Sequence, residues 1–407
     1  MGARLVDEVM GLDTADWLTP EAKNLIEAAR ALAPQLAERA TQAERDGLVP
    51  RQSILDIQAA GLFKALQPKR WGGFEMDPRV FYSVQMALAE GCMASAWVYG
   101  VVGVHNWQLP LFPEAAQQDV WANDANTLIA STYMPVGKAE KVDGGYRFSG
   151  HWSWSSGVEH CEWIFLGGLL PKKDGSGALE HCTFLLPKAD FKIVHNFDVL
   201  GLRATASHDV VVENAFVPEH RTQRTNDYTN EGCPGRALNT GWLYRIPFIQ
   251  VFQRAVSTAC IGALDGAVAQ FRQRSATHIG KHGSKSAEDV NAQQAVTEAM
   301  MTTDELKLVL YRNYAQVAGY ARRGERMPVE ERLLHRAQSA AVPKRCAEHV
   351  NDLMRACAAS GVFKSNPLER VFRDLHVARG HIANNTDAYA RAHGGVMLGL
   401  PNTDPFV

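Results

Sequence analysis

Residues 149–157 of this chain spell SGHWSWSSG, and this stretch decides how the middle of the chain folds. Alternation with a period of two predicts a strand that places Trp152 and Trp154 on one face. Ser153 and Ser155 would then lie on the opposite face. An aromatic wall beside hydroxyls and open backbone N–H groups suits a planar heterocycle with polar edges, although an ordinary hairpin with core tryptophans fits the same pattern.

Short strand-like runs lie on both sides of this stretch, from residue 126 to 225. Gly, Pro or Asp clusters separate many of them, which predicts a small β-barrel or sandwich. Residues 1–125 show helical periodicity, and four long amphipathic segments follow in the range 240–407. We therefore expect an α+β fold with an N-terminal helical domain (1–125), a middle β-domain (126–225) and a C-terminal four-helix bundle (240–407).

The composition argues against several classes of partner. The 407 residues include 42 basic and 44 acidic side chains, and a net charge of −2 does not favour nucleic acid. No apolar run approaches the roughly 20 residues of a membrane span, and early acidic residues interrupt any signal-peptide layout. Seven cysteines without a CxxC pair indicate reduced thiols, as in a cytoplasmic protein. Cys161 and Cys182 each follow a histidine, but their spacing matches no standard zinc module, so we expect no metal site.

Local strings along nearly the whole chain resemble the acyl-CoA dehydrogenase fold. They are residues 68–73 (PKRWGG), 201–205 (GLRAT), 212–218 (VENAFVP) and 366–374 (NPLERVFRD). The dehydrogenases of this fold need a carboxylate base, which many of them carry in a GTxE string after the last of these segments. Here that stretch is residues 380–387 (GHIANNTD), which contains no glutamate and places a histidine near the expected position.

Two further strings are similar to the oxygenase components of two-component flavin-dependent phenol hydroxylases, including those that act on a phenolic secosteroid or on 4-hydroxyphenylacetate. They are residues 102–107 (VGVHNW) and 152–157 (WSWSSG). In that family a separate NAD(P)H-dependent reductase supplies reduced FMN or FAD, and O₂ adds to it as a C4a-hydroperoxide. The resemblance implies ortho-hydroxylation of an aromatic substrate by a homotetramer. The small apolar residues 92–104 either line a large pocket or pack closely against another helix.

Other functions remain open at this point. One alternative is an acyl-CoA dehydrogenase-type flavin oxidoreductase. Another is a monooxygenase that acts on a heteroatom or on an indole-like ring and needs no phenol base. A binding protein that has retained the fold without its chemistry is the third.

The resemblance also implies roles for individual residues. His381 is our candidate base for the phenol, because an imidazole accepts a proton readily near neutral pH, and His393 is its rival. His105 is expected beside the ligand or the flavin peroxide, and Ser156 is expected to contact flavin N5 through its hydroxyl or its N–H. The expected flavin-binding residues are Trp97, Ser131, Thr132, Tyr133, Trp154, Ser155, Ser156, His278, Val362, Phe363, His381 and Ile382. His278 stands where the family has a phosphate-binding arginine, which leaves the choice between FMN and FAD open.

Overall fold

The computed structural model describes residues 16–224, 232–277, 285–404 and 406–407. The main helices before the sheet are α1 (Pro20–Asp46), α2 (Arg51–Ala59), α3 (Pro78–Gly91), α4 (Met93–Gly103), α5 (His105–Gln108) and α6 (Glu114–Trp121). Local sequence sets the limits of α1. The Thr19 hydroxyl accepts the Ala22 N–H at its start, and Gly47 ends it with a φ of 66°.

The middle of the chain forms a sheet. Its strands are β1 (Ile129–Val142), β2 (Gly145–Ser155), β3 (Trp163–Pro171), β4 (Leu179–Pro187), β5 (Lys192–Val194), β6 (His208–Pro218) and β7 (Thr222–Arg224). These described strands join in the order β5-β6-β2-β1-β3-β4-β7. Only the β1–β3 pair among them is parallel, and the other neighbours are antiparallel. The strand β2, which ends in the WSWS segment, therefore lies between β6 and β1.

The last region is a helical bundle. Its helices are α7 (Phe248–Ala255), α8 (Thr258–Thr277), α9 (Val290–Arg323), α10 (Val329–Ala356), α11 (Pro367–Arg379) and α12 (Thr386–Met397). The helices α8 to α11 pack against one another. The predicted order of helical region, β-domain and bundle is confirmed. One continuous apolar core joins the three regions, for example through Leu25, Phe148 and Leu264, so the domain boundaries themselves stay predictions.

The small residues of α4 serve close packing. Every residue of this helix is buried. A Cβ atom on Gly100 would lie 2.0 Å from the Gln85 amide nitrogen and 2.7 Å from the Ala255 carbonyl oxygen, which leaves no room for any side chain. Among the described residues, no helix combines the length and the apolar character needed to cross a bilayer.

Candidate flavin and substrate site

The two tryptophans of the WSWS segment do not share a face. Trp152 is fully buried and donates its indole N–H to the Gly167 carbonyl at 2.8 Å. Trp154 is 62% exposed and has a φ of 71°. The ladder with β6 shifts register between Trp152 and Ser155. A residue in the left-handed region breaks the two-residue alternation, so the expectation of a common aromatic face is wrong. One tryptophan belongs to the core, and the other presents its ring at the surface.

Hydrogen bonds join the turn after Trp154 to the neighbouring elements. Ser155 is buried and donates its hydroxyl to the Ser131 carbonyl at 3.3 Å. Gly157 has a φ of 70°, and its N–H donates to the Thr205 carbonyl at 2.8 Å. A Cβ atom at Gly157 would lie 2.8 Å from Val98 Cγ1, because α4 packs directly on this turn. Glycine therefore satisfies both the backbone conformation and the close contact.

A chain of hydroxyl groups leads away from Ser156. Trp97 donates its indole N–H to Ser156 Oγ at 3.2 Å, and Ser156 Oγ lies 2.7 Å from Ser207 Oγ. Ser207 Oγ lies 2.7 Å from Thr205 Oγ1, which donates to the Leu202 carbonyl at 2.8 Å. Because the Thr205 hydrogen goes to Leu202, Ser207 must donate to Thr205 and Ser156 must donate to Ser207. The Ser156 hydroxyl hydrogen is therefore engaged within the protein.

Ser207 and Thr205 belong to this site although the sequence did not single them out. They lie about 50 residues from Ser156 along the chain, at the entry to β6. The only available signal was that the GLRAT string ends at Thr205. The sequence around a serine or threonine does not predict which distant hydroxyl group it will contact in the fold.

His381 lies against Trp97. The two rings meet edge to face, with centroids 5.8 Å apart at 69°. His381 Nδ1 accepts the backbone N–H of Ala383 at 3.1 Å. Although the residue is partly exposed, protein surrounds its ring, and this burial lowers the pKa of His381 to about 4. The neutral ring therefore carries its hydrogen on Nε2, and that nitrogen is a donor.

His105 carries its hydrogen on the other ring nitrogen, Nδ1, and leaves Nε2 as an acceptor. It is fully buried, and its Nδ1 lies 2.6 Å from the Ile129 carbonyl oxygen, which fixes the hydrogen on Nδ1. Burial lowers the pKa of His105 to about 4. Its Nε2 has no hydrogen-bond partner among the described residues, and the rings of Tyr133, Phe165 and Phe252 surround the imidazole. A buried acceptor lone pair without a partner is costly for a folded protein unless a ligand or water supplies a donor.

The segment 131–133 of β1 connects these two groups. The Thr132 hydroxyl donates to the Ser153 carbonyl at 3.0 Å, which joins β1 to the WSWS segment. The Tyr133 hydroxyl bonds to the Gln108 side chain, and burial raises the pKa of Tyr133 far above its usual value. His181 Nε2 lies 2.8 Å from the Tyr133 carbonyl oxygen. The sequence did not single out Gln108 or His181 for this site.

The remaining predicted flavin contacts lie at the surface or outside the described residues. Val362, Phe363 and Ile382 are all strongly exposed, and Ile382 directly follows His381. His278 lies outside the described residues. The structure thus joins Trp97, Ser156 and His381 in one group and His105 and Tyr133 in another, and it places the three apolar side chains on the outside.

Comparison with known proteins decides the class. The acyl-CoA dehydrogenase N-terminal domain matches residues 19–126, and the acyl-CoA dehydrogenase C-terminal domain matches residues 255–386. The flavin-dependent monooxygenase oxygenase subunit HsaA of Rhodococcus jostii is 36% identical over 93% of this chain and 99% of its own length. The chain belongs to the oxygenase subunits of the flavin-dependent monooxygenases. The predicted family, fold and enzyme class are confirmed.

Two further relatives agree with this assignment. The crystal structure of 3-HSA hydroxylase from Rhodococcus sp. RHA1 superposes with a TM-score of 0.89 at 35% identity, and it covers 94% of this chain and 99% of that one. The oxygenase component of an FADH₂-dependent resorcinol hydroxylase from Rhizobium is 31% identical over 89% of this chain and 90% of its own length. Reduced flavin and O₂ are accordingly the cofactors of this enzyme, as predicted.

Proposed function

We propose that this oxygenase ortho-hydroxylates a phenolic ring, and that it receives reduced flavin by diffusion from a separate NAD(P)H-dependent reductase. The unpartnered Nε2 of His105 carries this proposal. It offers an acceptor lone pair inside a ring of aromatic side chains, which suits an aromatic substrate that bears a hydroxyl group. The names of relatives point to the same substrate class, since one is a resorcinol hydroxylase and another a p-hydroxyphenylacetate 3-hydroxylase. The sequence resemblance to hydroxylases of a phenolic secosteroid adds that compound to the substrates to be tested.

The residues near Trp97 suit a bound flavin. The exposed Trp154 indole is available to cover one ring face, and the backbone of 131–133 lies one strand away from Ser155. Because Ser207 takes the Ser156 hydroxyl hydrogen, we propose that Ser156 donates to flavin N5 through its backbone N–H. The bound reduced flavin supplies the activation of O₂, and the protein supplies binding, orientation and exclusion of water.

The two histidines suit different contacts with a phenol. We propose that His381 acts on the phenol oxygen, as the resemblance implies. Because Nδ1 accepts the Ala383 N–H, the proposed contact of Nε2–H with that oxygen is that of a donor, and base action at Nε2 would require the ring to release the Ala383 N–H. His105 Nε2 is the acceptor. Donor and acceptor functions thus fall on different residues, each kept neutral by burial.

Two substitutions distinguish these roles. Glutamine retains an N–H donor close to the position of Nε2, so His381→Gln keeps most of the coupled hydroxylation if His381 is a donor. His381→Ala then lowers coupled product by about 10- to 100-fold, because a hydrogen bond to a charged oxygen contributes about 1.5–3 kcal/mol. Equal losses in both variants would instead establish His381 as the base. Flavin binding, measured by fluorescence quenching, should stay intact, and His393→Ala should match the parent.

The exposed apolar residues suit a homotetramer. Helix α12 has no buried residue, and Leu398, Leu400 and Met397 are exposed, Leu398 by 85%. Apolar surface of this kind marks association sites. We propose that other subunits cover it and thereby bring the predicted flavin contacts Val362, Phe363 and Ile382 into an enclosed site. Light scattering should show a tetramer for the parent and smaller species for Leu398→Asp, with weaker flavin binding. A monomeric parent that binds flavin tightly would contradict this arrangement.

We also propose a reducing compartment, the cytoplasm. All seven cysteines of the chain are free and buried, which suits a protein that never needs a disulfide. Titration of the unfolded protein from cells with a thiol reagent should give seven free thiols, whereas oxidised pairs would contradict the assignment.

The substrate class is tested with a panel. The protein, chemically reduced FMN or FADH₂ and O₂ are combined with 4-hydroxyphenylacetate, resorcinol, a phenolic secosteroid, indole and a dialkyl sulfide. A catechol-type product from a phenol supports the proposal. Product from indole or the sulfide alone would instead identify a monooxygenase that acts on a heteroatom or on an indole-like ring. Oxidation of an acyl-CoA would identify a dehydrogenase.

A further inference from the structure

A group of potential metal ligands lies close to the exposed Trp154. Glu159 belongs to the short turn Val158–His160, His195 directly follows β5, and His208 is the first residue of β6. The three residues each offer one ligand atom, and these atoms all lie within 4.8 Å of one another. No local sequence pattern connects these residues, because they are 36 and 13 positions apart.

The sheet holds the two histidines side by side. Strands β5 and β6 are antiparallel, and Val194 pairs with Asp209, so the neighbouring His195 and His208 meet at the open end of the ladder. Their ring centroids are 4.8 Å apart at 62°. His195 Nε2 donates to Glu159 Oε1 at 2.5 Å. The ligands therefore converge before any ion binds, which reduces the ordering entropy that metal binding would otherwise cost.

Two imidazoles and one carboxylate form a known type of donor set. Such a set favours a borderline divalent ion, and three protein ligands leave the fourth tetrahedral position for water. We propose that Glu159, His195 and His208 bind one divalent transition-metal ion, with Zn²⁺ as the ion that suits these ligands. Binding replaces the hydrogen on His195 Nε2, and in the neutral ring that hydrogen moves to Nδ1, so the imidazole stays neutral while its Nε2 lone pair binds the ion.

The only comparable group among the described residues is a weaker candidate. Glu298, His349 and Asp352 also come within the same distance, but they provide one imidazole and two carboxylates. His349 already bonds to the Thr302 hydroxyl at 2.8 Å. A hard, oxygen-rich set of this kind suits Zn²⁺ less well than a set with two imidazoles. It provides an internal competitor for the experiment.

The position of the proposed metal site has a consequence for the surface. His195 is 68% exposed, so an ion can reach it directly. Phe197 lies two residues further on, and its ring meets the Trp154 indole edge to face with centroids 5.9 Å apart. A bound ion would hold the segment 195–197 in one conformation. It would thereby hold the Phe197 ring in place against the Trp154 indole. The metal site itself does not depend on the proposed substrate or on flavin.

Metal titration of the full-length chain tests the proposal. Protein treated with a chelator and then freed of it is titrated with Co²⁺ while visible absorption is recorded, and Zn²⁺ is then added in competition with a chromophoric chelator. We expect one ion per chain, Co²⁺ bands typical of low coordination by nitrogen and oxygen, and displacement by Zn²⁺. His195→Ala and His208→Asn should each weaken Zn²⁺ binding about tenfold or more, since even outer-shell partners contribute 10- to 100-fold.

Two control variants identify the site. His349→Ala removes the imidazole of the competing group, and His220→Ala removes a histidine that pairs with Asp119 at 2.7 Å and belongs to neither of the two groups found among the described residues. Both should bind Zn²⁺ like the parent. Absence of binding by the parent, binding that survives both His195→Ala and His208→Asn, or binding lost in His349→Ala would each overturn the proposal. Because His195 is exposed, its variant should fold normally, which circular dichroism checks.

Discussion

Replacing His105 by asparagine should make the protein less sensitive to acid. The Asn amide can still donate to the Ile129 carbonyl, as His105 Nδ1 does, but it does not titrate. Burial lowers the pKa of His105 from 6.5 to about 4 in the folded chain. Between these two pH values the unfolded chain binds more protons than the folded chain, so stability is lost as the pH falls through this window. At pH 5 the loss from this one residue is about 2 kcal/mol relative to pH 8.

The assay is chemical unfolding at pH 8 and at pH 5, at one protein concentration because association also affects stability. The free energy of unfolding should fall with pH in both proteins, but by about 2 kcal/mol less in His105→Asn. His160 and His335 have pKa values lowered by burial in the same direction, so part of the acid sensitivity remains in the variant. Identical pH dependence in His105→Asn and the parent would refute the assignment of a neutral, buried imidazole.

Two further substitutions test the geometry around Ser156. Gly157→Ala forces a side chain into a φ of 70° and within 2.8 Å of Val98, so it should lower the unfolding free energy by about 1–3 kcal/mol, and Gly175→Ala, with a φ of 74° but open space, should cost less. Equal melting temperatures for the two variants would contradict the close packing of α4 on the turn. Ser207→Ala removes the acceptor of the Ser156 hydroxyl hydrogen and the donor to Thr205 Oγ1, and it should destabilise the protein by about 1–3 kcal/mol, measured by urea unfolding. An unchanged midpoint would show that the hydroxyl chain is not maintained in solution.

The sequence predicted the larger features because they depend on repeated local patterns. Periodicity separated the helices from the strands, and the pair Thr19 and Pro20 marked the start of α1. The alternation at 152–155 wrongly predicted that Trp152 and Trp154 share one face. Trp154 adopts a left-handed backbone conformation that favours glycine, and the residue type tryptophan does not predict this conformation. Within 92–104, the close packing of Gly100 could not be read from local sequence, since its contact with Ala255 depends on a distant helix.

The site was predictable only in part, for a related reason. A resemblance singled out His105, Ser156 and His381 as candidates, but which nitrogen of each imidazole is left for a ligand depends on a backbone partner that only the fold supplies. Ser207 reaches Ser156 across the β2–β6 ladder, and no local pattern connects them. Residue types thus indicated the chemistry, while the direction of each hydrogen bond required the structure.

The most direct test of this account is a single turnover with ¹⁸O₂. The protein is mixed anaerobically with chemically reduced FMN or FADH₂ and a phenol from the panel, then exposed to ¹⁸O₂, and the product is analysed by mass spectrometry. We expect an ortho-dihydroxy product that carries one ¹⁸O atom and forms only when the protein is present. Prompt return of oxidised flavin with no labelled product from any phenol would contradict it.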